Sequence, residues 1–436
     1  MERLLQTDSD KNQSRSLWRN PTVWLRSQEL CRDYWVFFAA AFCFDFGFGL
    51  YHFLFNLYLS DFHFNERMIG IIGSATTLGS VAGTLPVGAL ARKYGVRPLL
   101  LICFVVAPLL GSLRAMLMAE STQIAMAFAF GLTTCLWGVC FLPAIARTTT
   151  DENRQSAYSL IVSASIGTAM LGGIVCGYLP RWLFNLGAAM QPPDVKRLIL
   201  LASCGIAALG LFAVLRMRQP AMRNELASGD AIQSGIVSRL WKPDPFLIRF
   251  LPAMALWTVV VTSFNPFANI YLSKVLHIPF ARIGFIFSIA QVVQLVTGLL
   301  TPLLFRVMGM INGITATQMA AALSIACLAG THNPKLAVVL YLAFSAMQWM
   351  TAPGMYNLLM SRVPDHERPT ASSIMMFCNA LTGAAATAGT GALFTRFGYP
   401  PVLAGIAVVA MVAAMALRTL IGSSCASVHL KSALEG

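Results

Sequence analysis

Long apolar runs alternate with short polar segments along this chain. Twelve runs are long enough to cross a bilayer as helices, which takes about 20 residues each. They lie near 34–60, 68–91, 98–118, 121–146, 157–180, 198–215, 250–273, 283–305, 307–331, 336–361, 370–395 and 397–417. Helices satisfy their own backbone groups in hydrocarbon. No run shows the ten-residue alternation of a membrane barrel. The expected fold class is an all-α membrane protein with twelve transmembrane helices.

The pattern also repeats. FLFNLYLSD at 53–61 returns as PFANIYLSK at 266–274, with Asn56, Tyr58 and Ser60 matching Asn269, Tyr271 and Ser273. A second segment, Arg147 to Ser159, returns as Arg362 to Ser373, with Arg154, Ala157 and Ser159 matching Arg368, Ala371 and Ser373. Both matches keep their place relative to the apolar runs, as expected of two pseudo-symmetric six-helix bundles. The chain divides into an N-terminal segment (1–33), a first bundle (34–215), a linker (216–249), a second bundle (250–417) and a tail (418–436).

Composition agrees with a lipid-facing surface. Of 436 residues, 57% are hydrophobic and 11% are charged, against about 25% charged in soluble domains. The net charge of +13 does not mark a nucleic-acid partner, because the basic residues sit between apolar runs rather than along one face. With both termini in the cytoplasm, 22 Lys and Arg fall inside and eight outside, the sense of the positive-inside rule. Residues 1–33 lack the apolar core of a cleavable signal. The cysteines show no metal or CxxC spacing, so no metal site is expected.

Three titratable or charged side chains fall within the spans: Asp45, His52 and Arg114. A charge at mid-bilayer costs a few kcal/mol, which makes each a functional candidate. Asp45, Gly49, His52 and Asn56 share one helix face, which is expected to line a watery cavity. Helix 7 presents Asn265 and Asn269 at the matching height. Asp45 is the candidate proton carrier, with His52 sharing that role or touching substrate. The competing reading for Asp45 is a structural hydrogen bond to a neighbouring helix. For Arg114, snorkelling to the headgroups is the expectation, with pairing to Asp45 or to an anionic substrate as the alternative. Gln291, Gln348, Trp137 and Trp349 add polar and aromatic groups at mid-span. Such a cavity suits an amphipathic or weakly cationic organic solute. No nucleotide loop, metal-spaced carboxylates or nucleophile elbow appears, so neither an enzyme nor a cofactor is expected.

Between helices 2 and 3 the chain reads GALARKYGVRP (88–98). This resembles the G-x-L-A-D-R-x-G-R-[RK] loop of the major facilitator superfamily, through Gly88, Leu90, Ala91, Gly95 and Arg97. Arg92 stands where that family has an acid, and helix 4 lacks the family's R-x-x-Q-G arginine. On helix 5, G-x-x-x-L-G-G-x-x-x-G (167–177) is close to the glycine-rich motif of drug/proton antiporters without its proline. The resemblance implies that helices 1, 4, 7 and 10 line the cavity. His52, Asn56, Trp137, Asn265, Asn269, Gln348 and Trp349 are then substrate contacts, and Gly88, Arg92, Gly95 and Arg97 belong to a gating loop. Gly88 is expected to let helices 2 and 11 approach, and Gly95 to make a turn with positive φ.

The resulting expectation is a monomeric secondary transporter that exports a small-molecule substrate against protons, in contact with membrane lipids, in the inner membrane if bacterial. Uptake of a metabolite or lipid-like solute, and a sensor without turnover, are the alternatives.

Overall fold

The computed structural model describes residues 30–150, 153–185, 192–217, 245–363 and 368–434. The N-terminal segment and most of the expected linker lie outside the described residues. Among those described, twelve long helices follow one another: α1 Arg32–Asp61, α2 Glu66–Tyr94, α3 Val96–Met116, α4 Glu120–Thr148, α5 Arg154–Asn185, α6 Pro192–Arg216, α7 from Pro245, α8 Phe280–Met308, α9 Met310–Gly330, α10 Pro334–Arg362, α11 Arg368–Phe397 and α12 Tyr399–Leu434. Ten helices are long and apolar enough to cross a membrane, and α2 and α11 match them in length. The expected spans hold to within a few residues at most ends, because the apolar run marks the hydrocarbon part and the helix continues until a turn stops it. Gly95, Gly309 and Gly398 make such turns, with φ of 85°, 77° and 77°, a region glycine enters without a Cβ penalty.

α1–α6 pack as one bundle and α7–α12 as the other. Glycines set the close approaches within and between them. In the first bundle, Gly79 lies against the Phe128 carbonyl, and Gly131 lies against the Thr76 carbonyl, so α2 and α4 meet backbone to backbone. Between bundles, α2 packs on α11 and α5 on α8. The Ser74 hydroxyl donates to the Ala384 carbonyl at 2.6 Å, and the Ser288 hydroxyl to the Met170 carbonyl at 2.7 Å. Each member of one pair lies 214 positions from its counterpart in the other. The glycines follow the same rule: Gly70 faces the Thr387 carbonyl and Gly284 the Gly173 carbonyl. The glycine-rich stretch of α5 is thus used in packing, with Gly173 and Gly177 pressed on Gly284 and Ala281 of α8. Gly88 differs from expectation. Nothing lies within 4 Å of the place its Cβ would take, so the approach of α2 to α11 is made by Gly70 and Gly391 near the other end.

The end that carries the α1–α2 and α7–α8 turns is held shut between the bundles. Asn56 Nδ2 donates to the Pro266 carbonyl at 2.8 Å, and Asn269 Nδ2 donates to the Phe53 carbonyl at 2.9 Å. Phe53 and Pro266, like Asn56 and Asn269, are 213 positions apart. The two copies therefore exchange the same hydrogen bond. α7 is remodelled at this level. After Pro245–Phe264 it tightens into a 3-10 turn (Asn265–Phe267), makes one α-turn (Ala268–Ile270) and widens into a π-turn (Tyr271–Val275). The Ile270 N–H is taken by Asn269 Oδ1 at 2.9 Å. Around this clasp, Lys274 pairs with Glu66 at 3.5 Å. Phe53 packs on Phe280 and Phe287 at 6.2 and 5.1 Å between centroids, and the Arg67 N–H bonds Thr395 Oγ1 at 2.9 Å.

Three outcomes are expected. Gly131→Ala forces a Cβ onto the Thr76 carbonyl and costs about 1–3 kcal/mol of overpacking. Gly88→Ala enters open space and leaves the thermal midpoint of the purified protein unchanged. Asn56→Ala and Asn269→Ala each remove a neutral hydrogen bond worth about 1 kcal/mol. Each should raise hydrogen exchange in both 53–61 and 265–275 by about fivefold. Exchange rising in only the mutated helix would show that the clasp does not couple the bundles.

Candidate functional site

The predicted polar face of α1 is present and faces open space. His52 is exposed, Asp45 and Gly49 are partly exposed, and no atom lies within 4 Å of a Cβ built on Gly49. The helix period of 3.6 places these residues on one stripe. Asp45 Oδ2 accepts a hydrogen bond from the Ser165 hydroxyl of α5, so the structural bond weighed against the carrier role is there. It leaves part of the carboxyl open. In the second bundle the Thr258 hydroxyl donates to Asn379 Oδ1 at 3.0 Å, joining α7 to α11. Thr258 is the counterpart of Asp45, and Asn379 that of Ser165, at offsets of 213 and 214. Both bundles therefore bridge the same two helices at the same level. Only the first bridge contains an ionisable group.

His52 stands edge-on to Tyr51 and 6.1 Å from the Phe130 ring of α4. Opposite, on the second bundle, exposed Asn265 donates through Nδ2 to Gln348 Oε1 of α10 at 3.2 Å. This pair leaves Asn265 Oδ1 and Gln348 Nε2 for other partners. Trp349 is 46% exposed and lies over Gly298 of α8, its indole 3.4 Å from a Cβ placed there. Gln291 is partly exposed on α8. Gln294, one turn along, is engaged with Ser345 at 2.6 Å.

Not every expected contact is placed alike. Trp137 is enclosed by rings, with Phe44 stacked at 4.5 Å, Phe37 at 5.7 Å, and Phe104 and Phe141 at 5.8 and 5.4 Å. It is half-buried and packs on the core of the first bundle. Asn56 and Asn269 spend their amide nitrogens on the clasp, so they close the cavity rather than present donors to it. Arg114 does not snorkel. It is 3% exposed and turns inward over the Phe55 ring, 4.3 Å from its centroid. Reach along the stem permits either direction, and the aromatic faces inside decide it. In the first turn of α3, Arg97 Nη2 donates to the Leu215 carbonyl at 2.7 Å, capping the C-terminal end of α6 where carbonyls lack helical partners. Nothing is described of the Arg92 side chain. Ser165 and Asn379 escaped the sequence-based site. Asn379 was legible as an amide at mid-span, and the repeat offset ties it to Ser165 once Asp45 and Thr258 are known to need partners.

With this geometry in place, the likeness to known proteins is consistent throughout. The structure resembles that of the nucleoside transporter NupG, with a TM-score of 0.76, 14% identity, and 90% of this chain and 99% of that chain covered. It resembles a D-xylose-proton symporter, with a TM-score of 0.69, 13% identity, and 89% and 97% covered. It also resembles a bacterial homologue of the human lysosomal transporter Spinster in its inward-facing, unoccupied conformation, with a TM-score of 0.71, 10% identity, and 90% and 98% covered. At these identities the likeness establishes the fold. No curated protein sequence matches significantly. The family model of the Major Facilitator Superfamily matches residues 37–387, and the chain belongs to this superfamily of membrane transporters.

Proposed function

We propose that the protein is a proton-coupled secondary transporter that moves a small organic solute by alternating access. The observation that carries this reading is the unequal pair of bridges, Asp45–Ser165 and Thr258–Asn379. A symmetric frame provides two equivalent positions, and one of them alone holds a carboxyl. Among the described residues Asp45 is the one carboxylate in the interior of a spanning helix. A proton on Asp45 removes a charge from the cavity wall, which changes the cost of closing that wall against the second bundle. The solute is recognised by His52 on one side and by Asn265, Gln348, Gln291 and Trp349 on the other.

The orientation that supports this reading places both termini in the cytoplasm, where 22 of the Lys and Arg then lie. The clasp of Asn56 and Asn269 is then at the outer end, and the cavity opens inward. The expected setting is the cytoplasmic membrane, with one chain sufficient for a complete cavity. Export by antiport follows from the glycine-rich motif of α5. Uptake by symport is the second reading. It is favoured by the similarity to the D-xylose-proton symporter and by the use of Gly173 and Gly177 in packing.

Transport in proteoliposomes tests the proposal, with radiolabelled uridine, xylose and benzoate as probes under imposed pH gradients of either sense. The unsubstituted protein should accumulate at least one probe in response to a gradient, inward-acid or inward-alkaline according to antiport or symport. Asp45→Asn should equilibrate that probe without accumulating it. Undiminished accumulation by Asp45→Asn would overturn the carrier role. Absence of any gradient-driven flux would favour the sensor alternative.

A further inference from the structure

Arg114 occupies the last turn of α3 and is 97% removed from solvent by its 3% exposure. Its guanidinium carbon stands 4.3 Å from the centroid of Phe55 on α1 and 5.3 Å from that of Phe130 on α4. Nε is buried without a hydrogen-bond partner. Among the described residues, those that act on it electrostatically are Tyr51, Cys204 and His52, and none of these is a carboxylate. The Tyr51 hydroxyl is spent on the Gly111 carbonyl at 3.2 Å. Gln123 gives its amide nitrogen to the Arg114 and Leu117 carbonyls at 2.6 Å each, and its Oε1 is itself without a partner.

An unpaired guanidinium withdrawn from water is among the costliest groups a membrane bundle can hold. Two ring faces return part of that cost, but rings do not accept the forked N–H donors. A protein retains such a group where a partner of opposite charge comes and goes. The position points the same way. Phe130 packs near Arg114 and near His52, and His52 is exposed on the stripe that holds Asp45 and Gly49. One ring therefore separates the guanidinium from the space between the bundles, just below the clasp at Asn56.

We infer that Arg114 and His52 form an anion subsite at the closed end of the cavity, and that the solute carries a carboxylate. A planar guanidinium matches two carboxylate oxygens with parallel N–H donors. Phe55 and Phe130 over the guanidinium, with Phe48 edge-on to Phe130, suit an apolar body behind that group. A displacement of the Phe130 ring opens the way. The weakly cationic solute expected from the sequence is replaced, because it would meet a like charge here. The inference rests on the cavity proposed above as the transport site, but occupancy of the subsite needs no turnover.

Thermal unfolding of the purified protein in detergent tests it. Formate, acetate and benzoate are compared with formamide, acetamide and benzamide at equal concentration and matched ionic strength. At least one carboxylate should raise the midpoint by about 2 °C or more above its amide. Arg114→Gln should abolish that difference, and Arg114→Lys should reduce it without removing it. No carboxylate exceeding its amide in the unsubstituted protein overturns the subsite, as does a difference that survives in Arg114→Gln. Should Arg114→Gln not fold, Arg114→Lys decides, and an unchanged difference there overturns the assignment. A carboxylate-specific shift in a protein without gradient-driven flux would remove the transport reading and leave the subsite standing.

Discussion

Inside a bilayer a polar group finds its partner in the protein or goes without. The interface between the bundles is built around that constraint, and it meets it by exchange. A side chain of one copy donates to a backbone carbonyl of the other, and the equivalent side chain donates back. Asn56 and Asn269 do this across α1 and α7, and Ser74 and Ser288 do it across α2–α11 and α5–α8. A helix carbonyl has a second lone pair after its own ladder bond, so the acceptors are supplied by the helices without loss of helical structure in α1. The donors must be short side chains, because the glycines at Gly70, Gly173 and Gly284 bring the backbones within reach. Closure at one end, the inter-bundle register and the location of the cavity follow from these few exchanges.

Against so regular a frame, the departures from symmetry carry the chemistry. The first bundle holds Asp45, His52 and Arg114, and the second answers with Thr258, Asn265 and a hydrogen-bonded Gln348. One half is ionisable and the other is amide-rich. A solute bridging the halves would place its charged part in the first and its neutral hydrogen-bonding part in the second, while the proton remains on the first. Division of this kind keeps the second bundle's recognition independent of pH.

The helices, the repeat and the positive-φ turn at Gly95 were legible in the sequence, because periodicity, length and glycine geometry are local properties. The face shared by Asp45, Gly49 and His52 was legible for the same reason. What was hidden involves partners that leave no mark in side-chain identity. Asn56 and Asn269 looked like cavity lining because their acceptors, at Phe53 and Pro266, are backbone carbonyls that every residue has. Gly88 looked like a contact because it belongs to a recognisable sequence motif, whereas the contacting glycines, Gly70 and Gly391, belong to none. Arg114 lies a turn from its helix end, where snorkelling and inward folding are equally within reach. Phe55 and Phe130, which draw it inward, belong to other helices. Trp137 packs on the core because Phe37, Phe44, Phe104 and Phe141 converge on it from three helices.

The strength of the closure bears on how the bundles part. Two neutral hydrogen bonds contribute about 1 kcal/mol each. The Lys274–Glu66 pair, whose lysine is 43% exposed, adds at most about 1 kcal/mol after screening. The sum is about 2–3 kcal/mol, below the roughly 5.5 kcal/mol that separates a 1:99 from a 99:1 population. A solute that binds the two states with unequal affinity can therefore undo it. The backbone-close packing of α2 on α11 and α5 on α8 is of another kind. It buries glycine-to-carbonyl contacts over several turns and has no ionisable member in its core. The clasp is the part that breaks and the small-residue seams are the part that pivots, so the parting of the bundles needs no change of helix packing inside either one.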